Sequence, residues 1–168
     1  DSEGNKLSLK DVANKLIGAF AKDDDSNDFI ENFISNGLMN YPPYAHQVEM
    51  LEKVFVHRRS TVINSGTGSG KTESFLLPLL ASLYKEGKTW DKPSYNANWF
   101  SQSVELKKRK GYIPVQRKGE TRTAAVRSLI LYPMNALVED QMTRLRKALD
   151  SDEVRSFFDK SEGLKGNR

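Results

Sequence analysis

The sequence predicts an α/β domain, a parallel sheet flanked by helices and preceded by a short helical N-terminal segment, and three observations predict it. Arg59-Ser60-Thr61-Val62-Ile63-Asn64 reads as a short buried strand, a glycine-rich turn follows at Ser65 to Thr72, and Ser74 to Tyr84 reads as a strongly apolar helix. A second strand–turn–helix unit comes later, with Val126 to Tyr132 as the strand, Pro133-Met134-Asn135 as the turn and Ala136 to Leu149 as the helix. Strands alternating with helices in this way build a parallel sheet.

Composition sets the outer limits. A chain of 168 residues suits one domain large enough to bury a real core. No apolar run approaches the roughly 20 residues that span a bilayer, and nothing at the N-terminus has the form of a secretory signal, so a cytoplasmic protein without a membrane partner is expected. The absence of cysteine excludes disulfides and thiolate metal sites. His46 and His57 are too few for a zinc cluster and read as ordinary side chains. Charge is unevenly spread: from Lys88 to Arg127 ten Lys/Arg face three acidic residues, a balance of +7 in a chain whose total is +4. A concentration of that kind points to an anionic partner more than the overall charge does.

The N-terminal 40 residues form the helical segment. Ser8 with Asp11 resembles a helix N-cap, and Leu9, Val12, Ala13, Leu16, Ile17 and Phe20 recur at helical spacing over about three turns. Asp23-Asp24-Asp25 reads as a solvated link to a second helix carrying Phe29, Ile30, Phe33 and Ile34, which Asn36-Gly37 is expected to end. Pro42 and Pro43 then hold the chain extended, and a helix starting near Tyr44 carries Val48, Leu51, Val54 and Phe55. Gln47 lies in the first turn of that helix. Its amide carries both a donor and an acceptor, the pair that matches the N6 and N7 edge of adenine, with Tyr41 or Tyr44 available to stack on the base.

The turn Ser65-Gly66-Thr67-Gly68-Ser69-Gly70-Lys71-Thr72 has the chemistry of a phosphate cradle. Phosphate needs several backbone N–H groups aimed at one point, and only residues with little side chain let the backbone close around the anion. Lys71 offers a mobile charge for the β- and γ-phosphates, and the Thr72 hydroxyl is suited to Mg²⁺. Ser65 stands where the strict G-x-x-x-x-G-K-[ST] pattern has glycine, yet it is still small. The expected ligands are therefore ATP and Mg²⁺, with Lys71 and Thr72 as the catalytic pair. The following helix contains Pro78, where a kink or an early end is predicted.

From residue 87 to residue 125 the periodicity is lost. This insertion carries Trp90, Tyr95, Trp99, Phe100 and Tyr112 among Lys107-Lys108-Arg109-Lys110, Arg117, Lys118 and Arg122. Rings that stack on bases and cations that neutralise phosphates suit a nucleic-acid surface, and an insertion packing on its own or a partner domain fits equally well. Asn135 is positioned to cap the last long helix. The division expected is 1–40 helical segment, 41–150 nucleotide-binding domain with insertion 87–125, and 151–168 a tail or linker holding the apolar cluster Val154, Phe157 and Phe158.

The order of these elements resembles the start of the first RecA-like domain of superfamily 2, DEAD/DEAH-box-like, ATP-dependent helicases, over roughly residues 41 to 150. Tyr44-Ala45-His46-Gln47 looks like the Q motif, Ser65 to Thr72 with Glu73 like motif I, and Leu131 to Gln141 like motif Ia. The resemblance implies that Tyr44, Gln47 and Ser65 through Glu73 bind nucleotide, and that Pro133, Met134 and Asn135, with the basic run Lys107 to Lys110, face nucleic acid, DNA in preference to RNA. Met134 and Asn135 replace the usual Thr and Arg of motif Ia, and Ile30 stands where the longer Q motif has an aromatic, so the short form of RecQ-like helicases is the nearer match. The wording around motifs I and Ia is also similar to large bacterial helicases of phage-defence systems. No strand ending in Asp-Glu is found, and Glu139-Asp140 is reversed and lies in a helix. Without that carboxylate pair and a second domain's arginine, hydrolysis loses its main electrostatic support, so the residues are expected to form the ATP-binding front of a helicase or translocase, inactive alone and dependent on further helicase domains. The competing reading is a non-catalytic module, stabilised by nucleotide, that docks nucleic acid or a partner protein through the basic aromatic insertion.

Overall fold

Ser8 caps α1 (Leu9–Lys15) in the computed structural model, which describes residues 8–16, 19–20, 24–39, 41–91, 125–132 and 135–164. Its hydroxyl accepts the Asp11 N–H at 3.2 Å, satisfying one of the donors that a helix start leaves unpaired. The helix is shorter than its apolar repeat predicts: Leu16 already turns, although Val12, Ala13, Leu16 and Phe20 are all buried.

α2 (Asp24–Asn27) runs on into a π-helical stretch, Asp28–Leu38, which closes with the Met39 N–H reaching five residues back to the Ile34 carbonyl at 2.9 Å. The predicted apolar stripe of Phe29, Ile30, Phe33 and Ile34 is its buried face. Two expectations fail here. Gly37 does not end the helix but lies inside it, where a Cβ would meet the Ala148 carbonyl oxygen at 2.2 Å, so glycine is needed for close helix approach and not for a left-handed cap. Asp25, expected in a solvated link, is buried and pairs with Lys88.

After Pro42 and Pro43, α3 (Ala45–Leu51) and its π-helical continuation, Glu52–Val56, bury Val48, Leu51 and Phe55 as the repeat predicts. Arg58 then takes a φ of 56°, and residues 59–66 run without regular secondary structure into the glycine-rich turn. α4 (Lys71–Gly87) continues through Pro78 to Gly87, so the helix does not end early there. Proline costs a helix interior about 3 kcal/mol, but Leu76, Leu77 and Leu80 are each only 1% exposed, and full burial of such side chains contributes about 1.5–3 kcal/mol apiece. Burial outweighs the lost hydrogen bond.

Residues 125–132 carry no regular secondary structure and lie along α4. Arg127 bonds Glu86 at 2.8 Å near the end of that helix, whereas the Tyr132 ring stands 6.5 Å from Phe75 near its start. This segment therefore runs opposite to α4 and returns the chain to the glycine-rich end, as the second strand of a strand–helix–strand unit must. Among the described residues neither segment belongs to a strand ladder, so the predicted sheet is not seen there. Val62, Val126, Leu129 and Leu131 are 78–92% exposed, which is what strand residues show when no neighbouring strand or helix layer covers them.

α5 (Asn135–Asp150) starts at the residue predicted to cap it, and α6 (Asp152–Lys160) begins at an N-cap, Ser151, whose hydroxyl accepts the Val154 N–H. The expected tail thus supplies a helix whose Val154 and Phe158 are buried, followed by buried Leu164. All these side chains join one core with those of α1 to α4. Tyr84 is its hub: Phe20, Phe29, Phe33 and Phe157 stand 5.3–6.4 Å from its ring, close enough for tilted, edge-on and stacked aromatic contacts.

Candidate functional site

The site is built where three elements meet: the start of α3, the glycine-rich turn and the start of α4. Gly68 and Gly70 have φ of 79° and 73°, left-handed values that side chains disfavour, and both turns depend on them. Around Gly66 and Gly68 a Cβ would meet nothing within 4 Å, so the loop's outer wall is open.

The loop is closed by its own side chains. Ser69 Oγ donates to the Gly66 carbonyl at 2.8 Å, which spends its one proton, so in the 2.7 Å contact between the two hydroxyls Ser65 is the donor. Lys71 Nζ curls back to the carbonyls of Ser65 at 2.8 Å and Gly66 at 2.5 Å. Its ammonium therefore sits at the mouth of the loop, the place where a charge for phosphate oxygens is needed. Thr67 is exposed, and Thr72 is half-buried one residue into α4. Among the described residues no three His, Cys, Asp or Glu side chains gather as metal ligands.

The Q-like element packs directly beneath this loop. Gln47 is completely buried; its Oε1 accepts the Tyr44 N–H at 2.9 Å and its Nε2 donates to the Gly70 carbonyl at 2.9 Å. These two bonds use one N–H and one oxygen lone pair of the amide. His46 Nε2 lies 2.8 Å from the Ser69 carbonyl, and because a carbonyl only accepts, that nitrogen carries the proton. Its ring stacks on Tyr44 with centroids 5.7 Å apart. Sequence reasoning passed over His46; its place beside Gln47 in a first helical turn was the available signal.

Glu73 sits in the first turn of α4, where the helix dipole favours an acid, and is 6% exposed. Its Oε1 accepts from Arg144 of α5 at 2.8 Å, and Arg144 also reaches Asp140 at 3.2 Å. The helix that follows the expected motif Ia is thereby tied to the helix that follows motif I. Arg144 is 71 residues away and carries no sequence signal of this role. Burial first, and then the nearby Glu73 carboxylate, push the Tyr41 phenol above its ordinary range. Of the expected nucleic-acid residues, Pro133, Met134 and Lys107 to Lys110 lie outside the described residues, as does the Asn135 side chain.

The profile of the DEAD/DEAH box helicase family matches residues 44–165, a span that starts at the α3 cap and includes the loop, α4, α5 and α6. The chain belongs to the DEAD/DEAH box helicase family. Membership of this helicase family implies the RecA-like fold. The chain is also similar to the Druantia protein DruE of Escherichia coli (strain UMEA 4076-1), with 34% identity over 113 residues. That alignment covers 67% of this chain and 5% of the relative, so the chain spans a small fraction of that protein's length. No solved structure matches. No described helix of this family member is long and apolar enough to cross a membrane.

Proposed function

We propose that the chain is the ATP-binding portion of an ATP-dependent nucleic-acid helicase or translocase. The observation that carries this reading is the loop itself, in which left-handed Gly68 and Gly70 open the backbone and the Lys71 ammonium waits at its mouth on two carbonyls. An arriving triphosphate would replace those carbonyls as the partner of Lys71, exchanging neutral acceptors for charged ones, which make hydrogen bonds roughly twice as strong. The N–H groups at the start of α4 add the dipole that favours an anion there. Thr72 would hold Mg²⁺, which when bound would neutralise charge on the β- and γ-phosphates. Gln47, with its remaining N–H and lone pair, would face adenine, and Tyr44 would back the base.

Hydrolysis needs an Asp-Glu pair at the end of a strand, which is not found in these 168 residues, and the arginine of a second helicase domain. In this reading further helicase domains supply them, and the chain alone binds without turning over. Family membership supports nucleic acid as the partner. The turn at Pro133, Met134 and Asn135 and the run Lys107 to Lys110 are proposed to contact it, with DNA as the substrate. The similarity of motifs I and Ia to phage-defence helicases, together with the likeness to the Druantia protein, supports a role in such a system.

The test is Lys71→Ala in the full-length protein. Nucleic-acid-stimulated ATP hydrolysis should fall by about 10²-fold or more, in line with the loss of one group aimed at developing charge. Hydrolysis persisting at the wild-type rate would refute the assignment.

A further inference from the structure

The loop is not held by its own residues alone. α4 engages the Gly70 carbonyl through the Ser74 N–H at 3.1 Å, and that is the first carbonyl its helical hydrogen bonds reach. The Ser69 carbonyl lies one residue earlier, outside the helix, and it is the His46 Nε2 proton that holds it at 2.8 Å. The peptide bonds here are all trans, so each carbonyl points opposite to the N–H of the next residue. A carbonyl drawn toward α3 therefore turns the following N–H away from α3. Fixing the Ser69 carbonyl on His46 aims the Gly70 N–H outward; fixing the Gly70 carbonyl on Gln47 and Ser74 does the same for the Lys71 N–H.

We propose that His46 is a positioning residue of the phosphate loop, which orients the Gly70 N–H toward a bound triphosphate without touching the nucleotide base. Three further observations fit this role. Stacking on Tyr44 fixes the plane of the imidazole, and Tyr44 is itself anchored through its N–H to buried Gln47. His46 is half-buried, so its hydrogen bond is partly shielded from competing water. Gly70 is left-handed and cannot borrow rigidity from a side chain, since a Cβ there would meet Gln47 Nε2 at 2.2 Å. An outside strut is what such a residue requires.

The inference rests on the reading of the loop as a triphosphate site, and the experiment separates the two. Calorimetric binding of ATP, GTP and inorganic tripolyphosphate is measured on the full-length protein, its His46→Leu variant and its His46→Gln variant, with thermal melts to show that each is folded. Gln extends an amide N–H to about the place of the imidazole Nε2, whereas Leu offers no donor. His46→Leu should weaken all three ligands by a common factor of about three to ten, the loss of one neutral hydrogen bond. His46→Gln should recover most of that loss. Equal binding by His46→Leu and wild type would overturn the proposal, and so would a loss confined to ATP, which would put the ring on the base, or failure of His46→Gln to recover. A wild type that binds none of the three overturns the triphosphate reading together with it.

Discussion

Tyr84 at the centre of the core allows a stability prediction with a definite sign. Its side chain is 3% exposed, and its hydroxyl has no hydrogen-bond partner among the described residues. Burial first, then the carboxylates of Asp28 and Asp25, push its phenol far above the ordinary value of 10.0. The folded protein therefore keeps the proton at a pH where the unfolded chain has released it. The stability tied to that proton is fully present below pH 10 and is lost as pH rises beyond it, because the unfolded state alone gains by ionising. Each pH unit above the unfolded value removes about 1.4 kcal/mol, so at pH 11 the loss due to this one group is about 1.4 kcal/mol. Tyr84→Phe removes the group. At pH 8 it should leave stability unchanged or raise it by up to about 1 kcal/mol, since it deletes a buried hydroxyl that bonds nothing described. Between pH 8 and pH 11 the variant should lose about 1.4 kcal/mol less than wild type in urea unfolding. The other five tyrosines are shared by both proteins and cancel in that difference. Equal losses would show that the phenol ionises in the folded state, and the account of its burial would fail.

Two further outcomes follow from contacts between distant segments. Gly37→Ala should destabilise by about 1–3 kcal/mol in the same assay, because its Cβ would overlap the Ala148 carbonyl and force two helices apart; helix propensity alone predicts a gain of about 0.8–1.0 kcal/mol, so the sign decides between them. A double-mutant cycle with Glu73→Gln and Arg144→Gln should give a coupling of about 1 kcal/mol, modest because the arginine is 47% exposed; additive effects would mean that the contact between α4 and α5 is incidental.

What the sequence disclosed and what it withheld divide by distance along the chain. The loop and the apolar faces of the helices were legible because their signals are local: glycines at fixed spacing before Lys71, and apolar residues at helical intervals such as Phe29, Ile30, Phe33 and Ile34. Errors arose where a tertiary contact overrides local preference. Gly37 reads as a helix end in isolation and is in fact a point of helix contact. Pro78 reads as a kink or an early end, yet the leucines beside it bury enough surface to carry the helix past it. Asp25 reads as solvated, and its partner Lys88 is 63 residues away.

The same division bears on how the site works. The lysine and threonine proposed to meet the nucleotide are announced by the motif, but the groups that hold the motif in shape come from elsewhere. His46 and Gln47 reach it from 23 residues upstream, and Arg144 ties Glu73 to α5 from 71 residues downstream. A phosphate loop rich in glycine has little rigidity of its own, since glycine has the largest conformational freedom to lose. Its geometry is therefore set by the surrounding elements, and so is its response to a ligand. In the proposed reading a triphosphate would take the place of the Ser65 and Gly66 carbonyls on Lys71, on the opposite side of the loop from its bonds to His46 and Gln47. The open side of the loop and the side bonded to α3 thus have different partners, and Glu73 of α4 is bonded in turn to Arg144 of α5.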